Sequence, residues 1–176
     1  NDPARTLGQQ FKALVRTIKV RQELGLRRQT FFINYGGWDH HDEVIQTMDT
    51  MVDIVNRCLV SYWQALVEIG MQNHVTLYTA SDFARTLTSN GAGSDHAWGG
   101  NMFVLGGAVI GRRIHGILPS LAGNGPDDAD WGQIIPTTSV DQYAATLDLA
   151  IRASSRVSHQ ILDRATDAGG AARRGV

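Results

Sequence analysis

The sequence lacks most of the features that sort a chain quickly into a class. Cys58 is its single cysteine, so no intrachain disulfide can form, and its place in a helical apolar pattern marks it as a core residue. An excess of charge is also missing. Sixteen Lys and Arg against 17 Asp and Glu leave a net −1, which argues against nucleic acid or an anionic membrane surface as a partner. No apolar run approaches the ~20 residues of a membrane span. No signal peptide is visible, but neither is an initiator methionine. The opening Asn1-Asp2-Pro3 suggests a processed or excised piece, so missing targeting signals carry little weight. What remains is ordinary for one globular domain: 176 residues, 43% hydrophobic and 19% charged, enough to bury a core, with no internal repeat.

Hydrophobic spacing predicts an alternation of helices and strands. Leu7, Phe11, Leu14 and Ile18 recur at helical intervals, giving an amphipathic helix from about Ala4 to Leu24 that Gly25 ends. Thr30–Tyr35 reads as a strand apolar on both faces, as central parallel strands are. A long helix follows from about Asp42 to Ile69, closed by Gly70, with Met48, Val52, Val55, Leu59, Tyr62 and Leu66 as its buried stripe. That stripe is packing, not a cofactor box, and His74 beyond it is a surface or edge histidine. Val75–Ala80 and Met102–Leu105 read as two more strands, the second stopped by Gly106-Gly107. Between them, Thr86–Asn101 is a Gly, Ser, Asn and Thr-rich loop, long enough without structure of its own to be expected to be functional. Gly111–Gly116 suggests a turn, and Pro119–Thr138 an irregular segment. There, Asp127 and Asp128 read as a solvated turn because their spacing does not match an EF-hand loop. Ser139 is expected to cap a helix starting at Val140.

Three short motifs gather the polar chemistry. They are Gly36-Gly37-Trp38-Asp39-His40-His41, Ser81-Asp82-Phe83-Ala84-Arg85-Thr86 and Gly93-Ser94-Asp95-His96-Ala97-Trp98-Gly99-Gly100. The first two follow the first two strands, and in open α/β sheets ligands bind beyond the carboxyl ends of strands. Carboxylates and imidazoles gathered there suit a divalent metal such as zinc or manganese. Each member also has a structural reading. Asp39 also reads as a helix cap with Glu43 in the first turn, His41 as a solvated loop residue, Asp82 as a cap in competition with Ser81, and Asp95-His96 as ordinary loop polarity. The coincidence of three motifs at element ends favours the metal or anion site.

In this order, these motifs together with Met102-Phe103-Val104-Leu105-Gly106-Gly107 and Pro136-Thr137-Thr138-Ser139-Val140-Asp141-Gln142-Tyr143 resemble the DUF1501 family. That is a group of bacterial proteins of unassigned activity, distantly related to the alkaline phosphatase and sulfatase superfamily. The resemblance runs from about the first helix to Leu147. It implies an α/β fold, an alkaline-phosphatase-like sandwich with a largely parallel sheet flanked by helices. It also implies an exported or periplasmic protein acting on an anionic small-molecule ester of phosphate or sulfate. By motif position, Asp39 and His41 look like a pair that holds one metal, Asp82 like the strand-end aspartate and His96 like the last metal-binding histidine. The cofactor would be zinc, manganese or calcium, the four residues are expected to converge on it, and Arg85 would neutralise the substrate or form a structural salt bridge.

Two departures qualify that resemblance. Active phosphatases of the superfamily commonly follow the strand-end aspartate with a histidine, whereas Phe83 follows Asp82 here. The superfamily's nucleophile and first metal-binding aspartate come from an amino-terminal segment that this sequence does not contain. The expectation is therefore that residues 1–150 are the carboxy-terminal part of a DUF1501-like domain, with no esterase activity alone. Another segment or subunit would cover an exposed sheet edge or face. Residues 151–176 would be a helical extension with a disordered Ala, Arg and Gly-rich tail. The rival expectation is a non-catalytic exported binding or structural protein with a degenerate metal site.

Overall fold

The computed structural model describes residues 3–152, and the tail expected over 151–176 lies outside them from residue 153 onward. Three helices carry most of the regular structure: α1 (Pro3–Lys19), α2 (Val44–Glu68) and α3 (Val140–Arg152). Four short strands pair two by two. β1 (Leu77–Tyr78) runs antiparallel to β4 (Val104–Leu105), and β2 (Ala84–Ser89) antiparallel to β3 (Ser94–Ala97). The chain divides into two compact units, Asn1–Gln72 and Asn73–Val176.

In the first unit, α1 and α2 bury their apolar faces on one another. Leu7, Phe11 and Ile18 from α1 and Met51, Ile54, Tyr62 and Leu66 from α2 form the core, with the Phe11 and Tyr62 rings 4.8 Å apart. The buried stripe of α2 is rotated from the expected one. Met48 and Val52 face out, at 37% and 50% exposure, because α1 supplies apolar side chains to only one side of α2. α2 ends as Gly70 predicts, whereas α1 stops at Lys19, short of the expected Leu24 before Gly25. Each glycine sits at positive φ, and the amides of Gly70 and Met71 return to the carbonyls of Val67 and Leu66, a Schellman closure. The same pattern recurs at Gly25 and Leu26, beyond a stretch of turns that follows the last regular residue of α1, Lys19.

The expected alkaline-phosphatase-like sandwich with a largely parallel sheet is overturned. Both sheets are two-stranded and antiparallel. The physical reason lies in the strands themselves. Thr30–Tyr35 has the composition of a buried strand, but no neighbouring strand reaches it among the described residues. Its ladder-like pairing comes from one side chain: Gln10 donates to the Asn34 carbonyl at 3.0 Å and accepts from the Asn34 amide at 3.2 Å. Phe32 is left 90% exposed. Val75–Ala80 pairs over two residues only, and its partner is Val104–Leu105, reached by a chain reversal and not by a helical crossover. A parallel ladder needs such a crossover.

In the second unit the Thr86–Asn101 stretch also departs from expectation. It is a β-hairpin, with Ala84 opposite Ala97 and Arg85 opposite His96. Asn90 closes the turn by accepting the amides of Ala92 and Gly93 at 3.1 and 2.8 Å. Residues 128–134 lie along this hairpin, where Gly132 at φ 75° approaches so closely that a Cβ would meet the Thr88 amide nitrogen at 2.7 Å. Ser139 caps α3 as expected, in a reciprocal capping box. Its hydroxyl accepts from the Gln142 amide at 3.1 Å, and the Gln142 side chain accepts from the Ser139 amide at 2.9 Å. Tyr143 then ties α3 to the strands by donating to the Thr79 carbonyl at 3.2 Å.

Burial pushes the phenols of Tyr62 and Tyr143 up to about 12 from the ordinary 10.0. In the unfolded chain they ionise near pH 10, so ionisation favours unfolding. The stability they contribute is complete below pH ~10 and is lost as pH rises toward 12. Denaturant midpoints should fall across that window, and Tyr62→Phe or Tyr143→Phe should flatten the fall. A pH dependence identical in both variants and the parent would refute this assignment.

Candidate metal centre

The first motif leaves the unpaired Thr30–Tyr35 segment through a glycine turn. Gly37 has φ 96°, which favours glycine, and a Cβ there would stand 3.5 Å from the Met51 terminal methyl. Trp38 anchors the loop by donating its indole N–H to the Tyr35 carbonyl at 2.7 Å, its ring edge-on to Tyr35. The next three side chains separate by burial. His40 is 7% exposed, and its Nε2 has no hydrogen-bond partner among the described residues. Asp39 and His41 stay half exposed, and their Oδ1 and Nε2 atoms meet at 3.0 Å.

The pairing sets the Asp39 carboxylate against an imidazole upstream of α2. The residue at the N-cap of α2 is Glu43, held at φ 45° with no side-chain cap hydrogen bond. Asp39 lies four residues upstream of it, outside the range in which a side chain caps amides of the first turn. Asp39 and His41 present one oxygen and one nitrogen donor together on the surface.

In the second unit the other candidates gather around the hairpin. Asp82 sits in the bend before β2, exposed, while the Ser81 hydroxyl donates across it to the Phe83 carbonyl at 2.8 Å. Phe83 stacks flat on His96, with ring centroids 4.0 Å apart and planes inclined by 10°. Arg85 stands opposite His96 in the ladder. Its guanidinium donates to the Ser94 hydroxyl at 3.2 Å and to the Ser94 carbonyl, and its carbon lies 5.8 Å from the Phe83 ring centre. Arg85 thus braces the hairpin across the strand pair. Asp95 is held at its amide by the Thr86 hydroxyl at 3.1 Å and at its carboxylate by the Asn90 side chain at 3.0 Å.

Two groups carry more than their sequence reading allowed. Phe83, notable in the sequence only for replacing a histidine, sets the plane of the His96 ring. Asp127 and Asp128 lie at a turn, as expected, and their carboxylates are what closes it. Asp127 accepts the Ser120 amide at 2.8 Å, and Asp128 accepts the amides of Asn124, Asp130 and Gly132 at 2.9, 3.1 and 3.0 Å. The signal available for this was aspartate followed within a few residues by glycine, the chemistry of side-chain-closed turns.

Zinc and manganese take imidazole nitrogen and carboxylate oxygen, and two histidines with two aspartates form a donor set of that kind. Residues 8–132 match the family described as "Protein of unknown function (DUF1501)". No curated protein and no solved structure matches the chain.

Proposed function

We propose, on the premise that this chain belongs to the DUF1501 family, that it holds a divalent metal with Asp39 and His41 among the ligands. The metal would serve the hydrolysis of a phosphate or sulfate ester in an exported protein. The observation that carries this reading is the Asp39–His41 pair, 3.0 Å apart, half exposed and upstream of the α2 N-cap at Glu43. A structural aspartate at a helix start would face the amides of the helix, and this one faces an imidazole nitrogen. A bound metal would polarise a phosphoryl or sulfuryl oxygen and stabilise the charge that develops on it. The likeness to the alkaline phosphatase and sulfatase superfamily is proposed for this motif chemistry alone and does not extend to the sheet. Arg85 could assist with an anionic substrate only after leaving Ser94, so its bracing role comes first. Phe32, Ile45 and Val52, at 90%, 71% and 50% exposure, support the further proposal that another segment or subunit covers the first unit.

A second reading, a non-catalytic metal-binding protein, is favoured by the Phe83–His96 stack. Phe83 offers no metal ligand at the position where the superfamily's active phosphatases commonly carry a histidine.

Equilibrium dialysis against zinc, manganese and calcium, followed by elemental analysis, tests the common core of both readings. The parent should retain a single metal per chain, and Asp39→Ala and His41→Ala should each weaken it at least about tenfold. Unchanged metal content in both variants would overturn the site. A panel of aryl phosphates and sulfates then separates the readings. Turnover abolished by Asp39→Ala supports the hydrolase, and metal retention without turnover supports the binding protein.

A further inference from the structure

The packing of α1 on α2 leaves a groove of about 340 Å³ between them, wholly within the first unit. Its floor is apolar, made by Phe11, Ile54 and Tyr62, which are buried core residues seen from their outer side. Its rim is cationic: Lys12 and Arg16 stand one turn apart on α1, and Arg57 faces the groove from α2. No acidic side chain lines it. Arg57 is tied to Asp53 at 2.9 Å, which holds its guanidinium beside the opening but halves its pull on a ligand. Lys12 and Arg16 have no such counter-charge in α1, whose sequence from Pro3 to Lys19 contains basic residues and no acidic ones. This concentration of positive charge stands in a chain whose net charge is −1.

The dimensions and lining match what small-ligand sites share: a volume of roughly 300–1,000 Å³, a mostly apolar wall and a few polar groups that orient the ligand. Apolar floor and cationic rim together define an occupant with an apolar body and an anionic head. We propose that this groove binds a single-chain anionic amphiphile of the fatty-acid class. Its alkyl chain would lie on Phe11, Ile54 and Tyr62, and its carboxylate would sit between Lys12 and Arg16. Burying alkyl carbons contributes about 0.8 kcal/mol per methylene, so the chain supplies affinity and the basic pair supplies selectivity for the head. The proposal is independent of the metal site, none of whose residues lines the groove.

The test compares two amphiphiles of equal chain length and opposite charge, laurate and dodecyltrimethylammonium, titrated into the full chain below their micellar concentrations by calorimetry. Laurate should bind with a stoichiometry of a single molecule per chain, at least about tenfold tighter than the cationic amphiphile. The double variant K12E/R16E should reverse that preference. Both substitutions are at exposed positions, and circular dichroism confirms the helices are retained. Protection of Cys58, which also lines the groove, from maleimide labelling gives an independent readout in the parent. Equal affinity for the two head groups, an unaltered preference in the double variant, or unprotected Cys58 at saturating laurate would each overturn the proposal. Capture of an acidic amphipathic peptide in preference to laurate would overturn it in favour of a helical partner.

Discussion

Leu66→Ala should lower the unfolding free energy of the first unit by about 2–5 kcal/mol, the range for large-to-small substitutions at sites that cannot collapse. Leu66 is 1% exposed and lies in the last turn of α2, where its carbonyl also receives the Met71 amide of the helix closure. Few buried apolar residues share the load in this two-helix unit, and Leu7, Phe11, Ile18, Met51, Ile54, Tyr62 and Met71 make up the rest. Domains of this size are stable by only about 5–15 kcal/mol. One cavity therefore removes a large part of the margin. The neighbour Val67, 49% exposed, provides the control, since Val67→Ala should stay within about 0.5 kcal/mol of the parent. Urea midpoints followed by helical ellipticity measure both. Equal midpoints for the two variants would show that the core does not run through Leu66.

The second large effect is expected at Asp128. Its carboxylate gathers the amides of Asn124, Asp130 and Gly132, closing a tight turn in a long irregular segment. Hydrogen bonds to a charged acceptor contribute about 1.5–3 kcal/mol each, but the freed amides lie near the surface and regain water. Asp128→Ala is therefore expected to cost roughly 2–4 kcal/mol in all. Asp130 and Trp131 sit at φ 151° and 55°, conformations that the surrounding hydrogen bonds impose. Losing Asp128 releases them. Chymotrypsin should then cut after Trp131, an exposed residue, well before the parent is cut there, while Asp128→Asn, which keeps one carbonyl acceptor, should fall between. Trypsin would not report on this segment, which has no Lys or Arg between Arg113 and Arg152. Identical cleavage in the parent and Asp128→Ala would show that the loop is held by other contacts.

Of the candidate site, the sequence revealed the residue types and their neighbours but not their duties. Asp39 and His41 were legible as a pair because they are two residues apart in one loop, and local spacing survives into local structure. Arg85 was ambiguous in the sequence because its partner, Ser94, lies nine residues away across a turn. Phe83 looked like a simple departure from a motif, and only the ladder that sets β3 beside β2 brought its ring onto His96. The turn at Asp127 and Asp128 was legible too, but not the amides those carboxylates collect, which come from both sides of the loop.

By itself the sequence determined the three helices, their glycine closures at Gly25 and Gly70, the capping box at Ser139 and membership of the DUF1501 family. These depend on contacts within about four residues, which any reading of periodicity and capping can capture. Only the tertiary structure decided the sheets. A strand's composition says that it wants a neighbour without saying which one, or whether one arrives. Thr30–Tyr35 carries the pattern of a central parallel strand and receives instead the amide of Gln10, twenty-four residues away. Val75–Ala80 carries it too and pairs over two residues with a strand running the other way. Helices close their hydrogen bonds within themselves, whereas a strand's remain open until another part of the chain supplies them.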